Sequence, residues 1–552
     1  MTSAGVPWQE LARQVQKRRD SSIAELKLNL PVPSAASPRV IPLARQLLSG
    51  AEVAITESSA SFLLSSLAQG RLTATEVTSA FLKRAAIAQS LVNCVHELLP
   101  ARALARAEEL DDFFALNGKT VGPLHGLPIS IKAHMGVKGS DSSAGFVAWA
   151  GRTFLDDAEL LKILLAAGAI AYVRTTEPQA LMMLETSSNI TGVTLNPHNT
   201  ALTPGGSSGG EAALQALYGS PLGVGTDMGG SIRSPAANCG IYGFKPTTFR
   251  LPLRGFAAYN IGVETIWGTP GPLSPTLDGI ELFMETVLAA EPWRSDPSLH
   301  HIPWRAAPAS IDANRGGRLR VGILWDDNIV TPLPPVTRAL KEVVERLNLV
   351  PGVDVVEWKP YRHEEGMEIL KGLYSPDKGK ALASLLATSG EPMHSLTAWT
   401  TRDTPGIKEL DLPGLWNLLR DREAYRYDYL QEWNRLAPDM DVILCPCHPS
   451  PAPLLDTSRY WGYTSIWNLL DYPAIVFPVT RVDPERDVSP KDYTPRNDMD
   501  RWYQEHYHPG KQQGAPINLQ LVAKKMEDEK VVQALRYIKE AIGLPFVNCL
   551  NE

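Results

Sequence analysis

Two glycine- and serine-rich runs in the first half of the chain constrain its fold more than any other feature. Pro204-Gly205-Gly206-Ser207-Ser208-Gly209-Gly210-Glu211 comes first, and Gly225-Thr226-Asp227-Met228-Gly229-Gly230-Ser231-Ile232-Arg233 follows it. Glycine admits positive φ and close backbone approach because no Cβ intervenes. Such runs interrupt helix and strand alike, so each reads as a tight loop between regular elements. Upstream, Gly126-Leu127-Pro128-Ile129-Ser130-Ile131-Lys132 ends a short apolar strand on a lysine. A serine hydroxyl becomes a nucleophile when a base takes its proton, and a lysine kept neutral by burial can be that base. Lys132, Ser207 and Ser231 together therefore point to acyl transfer at an amide or ester. Singly they carry little, since Gly-Gly-Ser is commonly a turn and a strand-end lysine is commonly solvated. Neither serine lies in a Gly-x-Ser-x-Gly elbow, and the histidines form no triad pattern. The order and spacing of all three carry the reading.

From residue 121 the chain alternates apolar strand patterns with amphipathic helices. Strands are expected at 128–132, 171–175, 221–225, 319–324, 353–358, 441–445, 474–480 and 516–522. Helices are expected at 101–114, 156–167, 335–347 and 527–542, and one opening on Thr73-Ala74-Thr75-Glu76, a capping-box sequence. That alternation implies an α/β chain with a parallel or mixed sheet, helices covering both faces. Residues 1–50 read as an N-terminal helical arm, with a proline-rich extended linker at 31–42. Trp8, Leu11 and Val15 fall at helical spacing and are expected to pack on the protein body or on a second subunit. Residues 51–552 read as the catalytic domain, with irregular excursions near 292–318 and 481–514. Loops of that length usually serve as lids, binding loops or contacts.

Composition removes several classes. The 552 residues are 44% hydrophobic and 20% charged, as in ordinary globular proteins, with a net charge of −7. No basic field exists to attract nucleic acid. The apolar stretches fall short of the ~20 residues of a spanning helix, and the start has no signal-peptide pattern, so a cytoplasmic protein is expected. Five scattered cysteines fit reduced thiols rather than a disulfide framework. Cys445-Pro446-Cys447-His448 is a single cluster without partners and reads as buried strand residues, not a metal site.

Lys132, the glycine-flanked pair Ser207-Ser208 and Gly229-Gly230-Ser231-Ile232-Arg233 resemble the amidase signature family of serine hydrolases. The likeness extends to 121–128, Tyr242-Gly243-Phe244-Lys245-Pro246 and Asn468-Leu469-Leu470-Asp471-Tyr472-Pro473. Around Ile55-Thr56-Glu57 and 83–89 the chain is similar to fungal acetamidase-type general amidases. The resemblance covers nearly everything from about residue 50. It implies the amidase signature fold, a large mixed, mostly parallel twisted sheet under helices on both faces. It further implies a Ser–cis-Ser–Lys triad: Ser231 as acyl nucleophile, Ser207 as bridging serine on a cis peptide, Lys132 as base. The amides of Met228, Gly229, Gly230 and Ser231 would hold the oxyanion. Thr226, Asp227, Arg233 and Ser208 would brace the nucleophile loop, and Leu181 and Met183, with Met182 between them, would wall the acyl site. A small-molecule amide would be cleaved to carboxylate plus ammonia or amine, with no cofactor and no metal, in a protein that could be a homodimer.

One departure stands out. Family members commonly carry an acidic residue directly after the triad lysine, where this chain has Ala133 and then His134. Adjacent strand residues face opposite ways, so the triad is not damaged by it, while contacts beside the lysine are reshaped. Other readings keep the same fold: a biosynthetic acyltransferase or amide-forming enzyme, or a non-catalytic or complex-bound subunit such as the family's tRNA-dependent amidotransferase component. The acidic balance argues against the last of these, and possession of all three triad residues against a silent scaffold.

Overall fold

Thr73 starts a long helix by reciprocal capping. Its hydroxyl accepts from the Glu76 amide, while the Glu76 carboxylate accepts from the Thr73 amide. The helix Ala74–Val92 then buries Val77, Phe81 and Ala85 and stops at Asn93, which takes the left-handed conformation. This computed structural model describes residues 6–28, 30, 38–305, 318–490 and 492–550.

Thirteen strands follow in chain order among the described residues: β1 (Val95–Leu98), β2 (Pro128–Lys132), β3 (Ile170–Thr175), β4 (Ser187–Ser188), β5 (Gly192–Val193), β6 (Gly223–Asp227), β7 (Tyr242–Lys245), β8 (Thr269–Ser274), β9 (Leu319–Ile323), β10 (Val353–Glu357), β11 (Val442–Pro446), β12 (Ala474–Arg481) and β13 (Pro516–Val522). β4 and β5 pair only with each other. The other eleven form one mixed sheet in the order β1-β3-β2-β6-β8-β7-β12-β13-β11-β9-β10. Its parallel pairings form two blocks, β3-β2-β6 and β11-β9-β10, and antiparallel strands join them. Every residue of β2, β3, β8, β11 and β13 is buried, so the sheet is covered on both faces, as the continuous apolar runs require.

β8 is a strand that its sequence, Thr-Pro-Gly-Pro-Leu-Ser, argues against. Its prolines, Pro270 and Pro272, lie opposite Thr226 and Val224 of β6. On the other side β7 pairs only with Leu273 and Ser274. The prolines thus occupy a stretch bonded from one side, where a missing N–H is tolerated.

The arm is helical over Trp8–Ala24 and again over Ile41–Gln46. Leu11 and Val15 pack on Val147 and Ile190 of the body, the first of the two expected alternatives. The expected linker lies outside the described residues from 31 to 37. Its end is helical rather than extended, with Pro42 in the first turn, where its lack of an N–H costs nothing. The expected excursion near 292–318 likewise lies outside the described residues from 306 to 317. The excursion over 481–514 is pinned by buried carboxylates: Arg338 donates to Asp487 at 2.7 Å, and Tyr493 and the Thr331 amide donate to Asp500. Among the described residues no helix is long and apolar enough to cross a membrane.

Candidate active site

β2 and β6 are parallel neighbours, so their C-terminal ends emerge on the same edge of the sheet. β2 ends in Lys132, and β6 ends in Asp227, from which the second glycine run continues. The first glycine run divides: 204–208 is loop, and Gly209–Ala216 is a helix with Ser208 at its N-cap. A Cβ on Gly206 would collide with the backbone of Glu185 and Met183, which explains glycine there. The Gly206–Ser207 peptide is cis. The Ser208 amide donates to the Ser231 carbonyl at 3.0 Å, tying the two runs together.

Lys132 is fully buried, with Nζ 2.6 Å from Ser207 Oγ and 3.2 Å from Thr226 Oγ1. Burial pulls its ammonium down to about 8, against the opposing pull of the Glu177, Asp227 and Glu211 carboxylates. Burial raises Glu177 in turn, and its Oε2 accepts from the His134 amide at 2.9 Å. Ser207 and Ser231 open onto one cavity of about 450 Å³, walled mainly by apolar side chains such as Leu181, Met182, Phe256 and Trp267.

Asp227 and Arg233 are both buried and form a two-pronged pair, Nε to Oδ2 and the terminal nitrogen to Oδ1, each at 3.0 Å. Burial would raise the Asp227 carboxyl, but the Arg233 guanidinium and the Asn468 amide hold it well below the usual range. Asp227 also accepts from the Gly230 amide at 2.8 Å and the Ile232 amide at 3.2 Å, so it organises the turn that carries Ser231. Gly230 has φ +132, and a Cβ there would strike Thr464.

Two expectations change in detail. The Gly230 N–H, expected among the oxyanion donors, is committed to Asp227. Met183 is buried away from the cavity, its carbonyl packed against Gly206; Leu181 and Met182 line the wall instead. Leu181 and its neighbour Ala180 both have positive φ, 61 and 59, so the wall here is built on a strained turn.

The sequence reading missed what holds the loop from outside. Tyr374 donates to the Met228 carbonyl at 2.6 Å, Thr464 to the Gly229 carbonyl at 2.7 Å, and the Ser234 amide to the Gly230 carbonyl at 2.7 Å. Arg233 also donates to the Thr464 carbonyl and to Asn468 Oδ1. A trans peptide points its C=O and N–H in opposite directions. Anchoring the Met228 and Gly230 carbonyls therefore turns the Gly229 and Ser231 N–H groups the other way. Tyr374 arrives on the helix His363–Tyr374, packed against Leu412–Leu436 through Tyr425, Tyr429 and Trp433. Of these residues, the sequence marks only Arg233 and the stretch containing Asn468.

Comparison with known proteins places the chain in a family. The amidase family model matches residues 76–532. A Schizosaccharomyces pombe protein carrying an amidase name is 44% identical over 534 residues, 96% of this chain and 98% of that protein. An acetamidase of Emericella nidulans is 37% identical over 542 residues, 97% and 98% of the two chains. Among solved structures, a fatty acid amide hydrolase superposes with a TM-score of 0.91 at 34% identity, covering 98% of this chain and 96% of that one. With the match running through most of the chain and the buried lysine and glycine-bound serines on one sheet edge, the chain belongs to the amidase family, the amidase signature hydrolases that act on amide bonds.

Proposed function

We propose that the chain hydrolyses a carboxamide through an acyl-enzyme on Ser231. The observation that carries this reading is the 2.6 Å approach of buried Lys132 Nζ to Ser207 Oγ beside the cavity that Ser231 also lines. Neutral Lys132 takes the Ser207 proton as Ser207 takes that of Ser231, and Ser231 Oγ bonds to the carbonyl carbon. The oxyanion is assigned to the Gly229 and Ser231 amides, which have no acceptor among the described residues. Each such donor is worth about 3 kcal/mol in the transition state. The C–N bond then breaks as the proton returns from Lys132 through Ser207 to the departing nitrogen. Water attacks the Ser231 ester, giving its proton to the same relay, and the C–O bond breaks to release the carboxylic acid and restore the serine.

The acyl group is assigned an apolar body larger than acetyl. The names acetamidase and fatty acid amide hydrolase among the similar proteins span a wide range of acyl size. A cavity of about 450 Å³ is of the size that takes drug-sized molecules. Leu253, Ile261 and Val263 line it while remaining exposed, which gives it an apolar mouth. Steady-state assays of Lys132→Ala and Ser231→Ala on a panel of primary amides, run in ¹⁸O water, test the reading. Both variants should lose turnover by two orders of magnitude or more, about what a positioned base or nucleophile contributes. Wild type should place ¹⁸O in the acid product. Wild-type turnover by Ser231→Ala would end the proposal.

A further inference from the structure

His134 stands beside the lysine and takes no part in the relay described above, yet its bonds are unusually determinate. Its ring is buried, 4% exposed, and packs edge-on to Phe256 at 5.3 Å. Nδ1 lies 3.0 Å from the Ala257 carbonyl oxygen, and Nε2 lies 3.0 Å from Thr226 Oγ1. A carbonyl oxygen only accepts, so Nδ1 must carry the hydrogen. Burial and the neighbouring Lys132 charge keep the ring neutral, pulling it down to about 3. Nε2 is then bare and can only accept, which obliges the Thr226 hydroxyl to donate to it. The Thr226 oxygen, 3.2 Å from Lys132 Nζ, consequently presents lone pairs to the amine.

We infer that His134 is a positioning residue that locks the Thr226 proton away from Lys132, so that the amine's single lone pair is kept for the Ser207 hydroxyl. A neutral amine has two N–H donors and one lone pair. With Thr226 turned toward His134, one N–H donates to Thr226 Oγ1 and the lone pair faces Ser207. Without His134 the Thr226 hydroxyl is free to rotate and donate to that lone pair, blocking the base with a hydrogen bond that leads nowhere. The inference rests on Lys132 being the base, and it makes an unusual demand: Thr226 helps the enzyme only while His134 is present.

The test is a double-mutant cycle on the full chain, read as the second-order rate of labelling by a fluorophosphonate, with melting temperature as the check on folding. His134→Ala should slow labelling about tenfold, the factor expected when one hydrogen bond of ordinary net strength is misdirected. Thr226→Val should slow wild type but speed the His134→Ala protein, because it removes the competing donor. His134→Gln, which offers both a donor and an acceptor, should retain more activity than His134→Ala. Should His134→Ala fail to fold, His134→Phe refills the ring space and carries the same comparison. Thr226→Val slowing labelling equally in both backgrounds, or His134→Ala labelling at the wild-type rate, overturns the inference. Ser231→Ala serves as the separate control. If it still labels at the wild-type rate the triad reading fails; if it is silent while the reversal is absent, only the role of His134 falls.

Discussion

In the proposed mechanism, the pH dependence of Ser231 acylation follows from the burial of one lysine. An ordinary lysine has a pKa of about 10.4, which leaves about one molecule in 2,500 with a neutral amine at pH 7. Lys132, 0% exposed, is pulled down to about 8, which leaves about one in ten neutral and multiplies the active fraction about 250-fold. The competent form is the deprotonated one, so the rate must rise with pH: about tenfold per unit well below 8, levelling above it. His134 adds no step in this window because it is already neutral. Glu177, raised by burial, ionises in the same region, and its negative charge strengthens the hold of Lys132 on its proton. The wild-type rise should therefore be broader than a one-proton curve, and Glu177→Gln should move its midpoint to lower pH. The assay is fluorophosphonate labelling, or kcat/KM on a primary amide, from pH 5.5 to 10. A profile that is flat, or that falls with rising pH between 6 and 8, would refute the neutral-lysine mechanism.

Other outcomes follow from the same contacts. Arg233→Leu leaves the Asp227 carboxylate buried without its cation and should cost about 3–5 kcal/mol of stability, measurable by urea denaturation. Gly206→Ala forces a Cβ into the Glu185 backbone and should abolish labelling, whereas a fully active variant would show that the loop is not packed as described. With linear primary amides, kcat/KM should climb about fourfold per added methylene, from about 0.8 kcal/mol of burial each, until the cavity is full. A maximum at acetamide would contradict the assignment of a larger acyl group.

Much of the fold was legible because its strands are short, continuous apolar runs bounded by loop residues; β13 was placed at 516–522 and is found there. β8 was not legible, since two prolines speak against a strand and only its one-sided pairing makes room for them. Ser207 and Ser231 were visible as candidates because the glycines around them are contiguous in sequence, and Lys132 because it ends a short apolar strand. Tyr374, Thr464 and Gln520 were invisible for the opposite reason: each reaches the nucleophile loop or Arg233 from a distant element, with nothing local to mark it. Gly230 shows a finer limit. Its type and strained φ could be anticipated, but whether its N–H serves an oxyanion or Asp227 depends on a carboxylate whose orientation is set by Arg233 and Asn468.

Covalent catalysis by Ser231 is tested most directly by acid-quenching the enzyme during turnover of a slow amide and mapping the acyl group by peptide mass spectrometry. The expected result is one acyl adduct on the peptide containing Ser231, absent from Ser231→Ala and accumulating more slowly in Lys132→Ala. An adduct on another residue, or steady turnover with no adduct on Ser231, would contradict it.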